Sequence, residues 1–219
     1  DNNISKEISL APNLNLAKRE TNWQIVKEEV VESYISKTAA LINPKTKIKI
    51  VYTPLHGVGK ETIVKVFDRA GLNLSLVGAQ AEPDPEFPTV KFPNPEEPGA
   101  IDLSLKLAAG LDADLVIAND PDADRCAIAI NDYGWRMLRG DEVGALLGEY
   151  LSRKYKGNLV FANSIVSSSI LGKIAKAHQI RFHETLTGFK YLSKVEGLRF
   201  GYEEALGYSV DPDSVNDKD

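Results

Sequence analysis

Leu115-Val116-Ile117-Ala118-Asn119-Asp120-Pro121-Asp122-Ala123-Asp124-Arg125 carries a continuous apolar run straight into a loop of alternating aspartates. A short apolar run with no polar alternation suits a strand buried on both faces, as in parallel sheets covered by helices. In open α/β sheets, ligands bind beyond the carboxyl ends of such strands. Asp120, Asp122 and Asp124 stand there at i, i+2 and i+4. In an extended or turning segment three such carboxylates converge on one point. At roughly 5 Å and an effective dielectric of about 20, each pair repels by about 3 kcal/mol. Splayed into water, they cost almost nothing. The simplest relief for a converged set is a hard divalent cation with oxygen ligands.

The flanks have the same layered character. Upstream, Ile48, Ile50 and Tyr52 alternate with Lys49 and Val51 and predict a strand ending at Thr53-Pro54. His56-Gly57-Val58-Gly59 predicts a glycine turn, Lys60 to Ala70 a helix that Gly71 ends, and Leu72 to Val77 a strand. Residues 82 to 98 then hold six of the eleven prolines. Proline lacks an amide donor and fixes φ, so a functional ordered loop is expected there. A helix from about Gly99 to Ala109 leads back to the apolar run. Downstream, Cys126 to Ile130 is a strand, and Asp132-Tyr133-Gly134 turns into Trp135 to Leu138.

The alternation then restarts. Helices are expected at Asp141 to Arg153, Ser168 to Ala177 and Gly188 to Val195, and strands at Leu159 to Ala162, Ile180 to His183 and Leu198 to Tyr202. Near the start, Thr21 and Gln24 have capping-box spacing. A helix is expected from there to about Ile42, stopped by Asn43-Pro44, with Trp23 as a core or domain-packing residue. The result is an α/β chain with two three-layered domains, each a mixed sheet flanked by helices. Residues 1–20 are expected to be a connector, 21–138 a metal-binding domain and 139–219 a second domain.

Composition narrows the classes. Hydrophobic residues make up 43% and charged residues 26%, which excludes a disordered chain. No apolar run approaches the ~20 residues that span a bilayer, so no membrane partner is expected. The single cysteine, Cys126, allows no intrachain disulfide and points to a reducing, cytoplasmic setting. The net charge of −5 argues against nucleic-acid binding. That mild total hides a concentration of acid. Residues 82 to 124 hold eleven acids against Lys91 and Lys106. The chain starts at Asp1 without a signal pattern and stops at Lys218-Asp219 without a helix stop; both ends read as cuts.

The class of metal site follows from spacing. A calcium EF-hand counted from Asp120 needs Gly at its sixth position and Glu at its twelfth. Here those are Arg125 and Asn131. Three carboxylates with open positions suit Mg²⁺ shared with a phosphate. Arg125 agrees, since a guanidinium matches phosphate geometry. His56 and Lys60 do not form a phosphate-binding P-loop, because Pro54 and Glu61 stand where Gly and Ser or Thr are required; a turn role is expected for His56. His178 and His183 are expected as surface or strand residues, not as ligands.

Asp120-Pro-Asp-Ala-Asp-Arg125 resembles the metal loop of the α-D-phosphohexomutases, the phosphoglucomutase and phosphomannomutase superfamily. Four further segments resemble that family in order. They are Tyr52-Thr-Pro-Leu-His-Gly-Val-Gly59, the proline-rich Phe87 to Glu96, the sugar-loop-like Gly201-Tyr-Glu-Glu-Ala-Leu-Gly-Tyr208, and Asp217-Lys-Asp219. The sugar loop is most similar to the branch with bacterial phosphomannomutases and phosphopentomutase-like members. The resemblance implies a cytoplasmic four-domain enzyme that interconverts sugar 1- and 6-phosphates through a phosphoserine and a bisphosphate intermediate. It implies Mg²⁺ on Asp120, Asp122 and Asp124, phosphate on Arg125, sugar hydroxyls on Glu203, substrate contacts from Gly188 and Lys190, and Lys218 near the transferring phosphate.

Three departures qualify it. Ala205 stands where the family's sugar loop usually has Ser, which makes a pentose phosphate plausible. The active-serine segment is absent, and Ser167-Ser168-Ser169 reads as a helix cap. The last-domain phosphate loop is absent too. The chain is therefore expected to be the second and third domains, with a first and a fourth as partners, and to be inactive alone. The residues leave rivals open: a haloacid-dehalogenase-type phosphatase with Asp120 as nucleophile, a nucleotide-sugar transferase, or a noncatalytic metal module.

Overall fold

The computed structural model describes residues 2–11, 22–42 and 47–218. The chain divides into two units, Asp1–Glu32 and Ser33–Asp219. In the first, Asn2–Leu10 forms a helix, α1, inside the stretch expected to be a connector. Ile4 and Ile8 are one turn apart, but no side chain of α1 is buried. The next helix, α2 (Glu29–Ala39), starts later than its apolar spacing suggests. Glu29 and Glu32 lie in its first turn, where the helix dipole favours acids. Trp23, Ile25 and Val26 are exposed ahead of it, so Trp23 is not a core residue. Thr21 of the capping box and the Asn43-Pro44 stop lie outside the described residues.

The second unit contains both sheets. The first has β1 (Ile50–Thr53), β2 (Leu74–Leu76), β3 (Leu115–Asn119), β4 (Cys126–Asn131) and β5 (Trp135–Met137), in the order β2-β1-β3-β4-β5. β1 runs parallel to β2 and β3, while β4 and β5 are added as antiparallel hairpins. The period-2 alternation of β1 and β3 explains the unbroken apolar run. Ile50, Tyr52 and Ile117 cluster with Ile63 and Phe67 of α3 (Lys60–Arg69). Val51, Val116 and Ala118 turn the other way, into the core that holds Ala108 of α4 (Asp102–Leu111). With a helix on each face, neither side of β3 meets water.

The second sheet has β6 (Val160–Ser164), β7 (Arg181–Thr185), β8 (Leu198–Glu203) and β9 (Gly207–Ser209), in the order β7-β6-β8-β9. Only β9 is antiparallel. On one face, α5 (Gly140–Lys154) and α6 (Ile170–Ala177) place Leu151, Leu171 and Ala175 against Phe161, Phe200 and Tyr202. On the other, α7 (Phe189–Leu192) packs Phe189 and Leu192 over Ala162. α5 lies close to β8 because Gly144 has no side chain; a Cβ there would sit 2.6 Å from the Tyr202 ring. Phe161, Phe200, Tyr202 and Tyr208 form a row of rings with neighbouring centroids 5.5 to 6.2 Å apart. Each large buried side chain contributes about 1.5–3 kcal/mol of burial.

The mixed sheets flanked by helices match the fold read from sequence, and the change of sheet falls between β5 and α5, around Arg139. β9 was not foreseen. The segment 201–208 is a tight hairpin in which Glu203 pairs with Gly207 and Leu206 takes a positive φ of 68°. Its turn, Glu204-Ala205-Leu206, contains none of the Gly or Asn residues that advertise a hairpin. Val51, Val116, Phe161 and Phe200 belong to one continuous apolar core that spans both sheets. Among the described residues, no helix is long and apolar enough to cross a membrane.

Candidate functional site

β1 sends the chain to β2 on one side, and β3 lies on the other. That arrangement places a topological switch between the carboxyl ends of β1 and β3, where such sheets bind ligands. Two loops meet there. The turn after β1 puts Leu55 and His56 at positive φ, 46° and 62°. Its Val58 amide donates to the Pro121 carbonyl at 2.8 Å. Gly57 lies so close that a Cβ would be 2.2 Å from the Pro121 Cα. His56 is buried, and its Nε2 is 2.8 Å from the Thr89 hydroxyl. Thr89 also accepts from buried Gln80, which pairs with Thr53 of β1. The expected turn role of His56 thus extends to tethering the proline-rich loop.

The aspartate loop folds back on itself. The Ala123 amide donates to the Asp120 carbonyl at 3.0 Å with Ala123 at φ 63°, and the Arg125 amide donates to Asp120 Oδ1 at 2.9 Å. One carboxylate oxygen from each of Asp120, Asp122 and Asp124 lies within 4.8 Å of the others. The Asp120 side chain is only 13% exposed, and Asp122 is exposed. Burial pushes the Asp120 carboxyl up to about 6; the charges of Asp124 and Asp122 push the same way, and the Arg125 amide opposes them. The set is an oxygen-only, charge-crowded cradle, the chemistry of a hard divalent cation site.

Two cations border it. Arg125 Nε is 3.7 Å from Asp120 and 4.0 Å from Asp124, and Nη1 is 3.9 Å from Glu96 of the proline-rich loop. Lys218 Nζ is 2.5 Å from Asp124 Oδ2. The Lys218 stem passes over Gly207, where a Cβ would meet Lys218 Cδ at 3.0 Å. Gly207 is the strand partner of Glu203, whose carboxylate accepts from the Gly188 amide. The Leu206 carbonyl accepts from the Cys126 amide at 3.0 Å, fastening the β8–β9 turn to the first residue of β4.

Of the residues singled out in the sequence, Asp120, Asp122, Asp124, Arg125 and Lys218 are thus gathered in one place, and Glu203 and Gly188 form an adjoining pair. Lys190 is exposed with its ammonium 5.1 Å from the Tyr191 ring centroid, and its stem runs beside Gly188, where a Cβ would sit 3.7 Å from Lys190 Cγ. Ser169 occupies the N-cap of α6 without a side-chain bond, and Ser168 Oγ accepts from the Ile170 amide instead. Ser167 does not cap at all. Together with Ser164 it donates to Glu204 Oε2, each at 2.9 Å. Sequence reasoning missed this Glu204 anchor, the Arg199–Asp211 pair at 2.8 Å, and the Glu96 contact to Arg125. Position in a proline-rich loop was the one available signal for Glu96. His178 pairs with Glu149 at 2.9 Å, and His183 is exposed.

Residues 32–134 match the family model described as phosphoglucomutase/phosphomannomutase, alpha/beta/alpha domain II, and residues 139–219 match that of domain III. A Haemophilus influenzae protein named probable phosphomannomutase is 50% identical over 214 residues, covering 95% of this chain and 44% of that protein. A Saccharomyces cerevisiae phosphoribomutase is 38% identical, covering 94% of this chain and 38% of that one. A Mus musculus phosphopentomutase is 44% identical, covering 81% and 32%. The chain spans less than half the length of these curated relatives. A solved phosphoglucomutase/phosphomannomutase family protein from Burkholderia thailandensis superposes with a TM-score of 0.75 at 18% identity, covering 87% of this chain and 41% of that one, which shows a shared fold.

Proposed function

The chain belongs to the phosphoglucomutase/phosphomannomutase family, and from that premise we propose that it carries the metal loop and sugar loop of a Mg²⁺-dependent phosphosugar mutase. The observation that carries this reading is the convergence of three carboxylates at the end of β3, bordered by Arg125 and Lys218. Family membership supports the mutase reading over the phosphatase, nucleotide-sugar transferase and plain metal-module readings.

The residues present fit the ion. Asp120, Asp122 and Asp124 would hold Mg²⁺ through oxygen alone, and a cation would offset the burial and, secondarily, the carboxylate crowding that raise Asp120. Bound there, Mg²⁺ supplies charge neutralisation and polarisation at a phosphoryl oxygen. The chain's own groups do the rest. Arg125 presents a guanidinium to phosphate oxygens. Lys218 brings an ammonium to the same place and is suited to stabilise charge or move a proton. Glu203, fixed by the Gly188 amide, accepts hydrogen bonds from sugar hydroxyls. Lys190, exposed beside that pair, is a further substrate contact. The phosphoryl group shuttles between the 1- and 6-positions through a phosphoserine and a bisphosphate, with the serine supplied by a part of the protein outside these 219 residues. The chain alone is therefore expected to have no mutase turnover.

A second reading of the sugar is favoured by Ala205, which is exposed in the β8–β9 turn and offers no hydroxyl. That suits a phosphopentose, the substrate class named in two of the relatives above. The deciding experiment assays the full-length protein with glucose, mannose and ribose 1-phosphates side by side. Turnover of at least one, lost on removal of Mg²⁺, is expected; no turnover of any sugar phosphate refutes the mutase reading. Asp122→Asn should weaken Mg²⁺ binding at least about tenfold without unfolding the chain. Unchanged calorimetric binding would sink the metal assignment.

A further inference from the structure

We propose that Asn119, held by Tyr52, is a positioning residue that gathers Asp120, Asp122 and Asp124 into one cation site. This rests on the metal reading above and adds residues that touch neither metal nor substrate.

The β3–β4 ladder ends at the pair Asn119–Cys126, so strand pairing leaves the loop beyond it without a fixed shape. Alternating residues in an extended strand sit about 6.6 Å apart, and like charges push them further. Yet the three carboxylates approach within 4.8 Å. The Ala123 and Arg125 amides fold the loop onto Asp120, and a further bond holds its neck. The Asn119 side chain does so by crossing from one arm to the other. Its Nδ2 donates to the Arg125 carbonyl at 2.6 Å. A carbonyl only accepts, so the nitrogen must lie on that side and Oδ1 on the other. Oδ1 accepts from the Tyr52 hydroxyl at 3.0 Å.

Tyr52 makes that orientation a property of the sheet. It is fully buried in β1, between β2 and β3. Burial also holds its hydroxyl well above the usual range, so it stays a donor. Gly59 belongs to the same assembly. A Cβ there would sit 3.0 Å from both the Tyr52 hydroxyl and the Ala123 Cβ. The Tyr52 to Gly59 segment thus supports the aspartate loop through its first and last residues, one by a hydrogen bond and one by the lack of a side chain.

Outer partners of metal ligands typically affect affinity by about 10–100-fold. Calorimetric titration of the 219-residue chain with Mg²⁺ should show Tyr52→Phe and Asn119→Ala each binding about tenfold more weakly. Tyr52→Phe keeps the buried ring, so it carries the test even where Asn119→Ala fails to fold. The double variant should bind no more weakly than the worse single variant, because Tyr52 acts through Asn119. Single variants with wild-type affinity, or losses that multiply in the double variant, overturn the proposal while leaving the metal reading intact. A wild-type chain that binds no Mg²⁺ overturns both.

Discussion

Lys218 Nζ lies 2.5 Å from Asp124 Oδ2, so a residue beyond β9 supplies a counter-charge to the loop beyond β3. The Lys218 side chain is 23% exposed and that of Asp124 is 32%. The pair therefore keeps part of its attraction instead of losing it all to solvent screening. It also engages a carboxylate of the set that would hold a metal ion. Lys218→Met should tighten Mg²⁺ binding by up to about fivefold, the worth of one partly exposed ion pair. Calorimetry checks this, and weaker binding in the variant would show that Lys218 does not compete for Asp124.

On the proposed metal reading, Asp120 should make Mg²⁺ binding depend on pH. Its carboxyl is raised to about 6, mainly by burial. The metal-free fold disfavours the charged form, so this group costs stability as pH rises from about 4 through 6. A cation reverses the preference, because it requires the carboxylate. Mg²⁺ affinity should be level above pH 7 and fall about tenfold per unit below about pH 6. Equal affinity at pH 7.5 and 5.0 would contradict it.

Arg199 is largely buried, stacks 3.9 Å over the Tyr155 ring and donates to Asp211 at 2.8 Å. The hydrogen bond from Arg199 holds the Asp211 carboxyl below its ordinary range. Its stabilisation is therefore complete above the unfolded value near 4 and fades as pH falls through the lowered folded value. Asp211→Asn should cost about 1.5–3 kcal/mol at pH 7, the worth of a charged hydrogen bond. The gap to wild type should close at acid pH. Denaturant midpoints measured at pH 7 and pH 3 read it directly.

Two glycines should respond in opposite ways to the same added methyl group. Gly57→Ala drives a Cβ to 2.2 Å from Pro121 backbone, which cannot yield as a side-chain tip can. It should destabilise by about 1–3 kcal/mol or more and weaken Mg²⁺ binding. Gly110→Ala in α4 meets nothing within 4 Å and should stabilise by about 0.5–1 kcal/mol. Thermal melts of the two variants are the check.

Strand and helix order was legible because β3 carries a run apolar on both faces while α3 is bounded by Gly59 and Gly71. The aspartate loop was legible because spacing at a strand end is itself a geometric statement. Less could be read where partners are remote. Asn119 looks like one more loop residue until Tyr52, 67 positions earlier, is found beside it. Glu204 reads as a duplicate of Glu203 until Ser164 and Ser167 take its carboxylate. Trp23 shows the converse, since apolar spacing alone did not place it in the core, and it is exposed.

The bond from the Cys126 amide to the Leu206 carbonyl, laid over a core continuous through both sheets, fastens the base of the aspartate loop to the turn that follows Glu203, as a rivet joins the two arms of a caliper. Under the proposed mutase reading, a sugar that offers first one end and then the other to a phosphoryl donor would turn between loops held in register, and the turning would fall to the ligand.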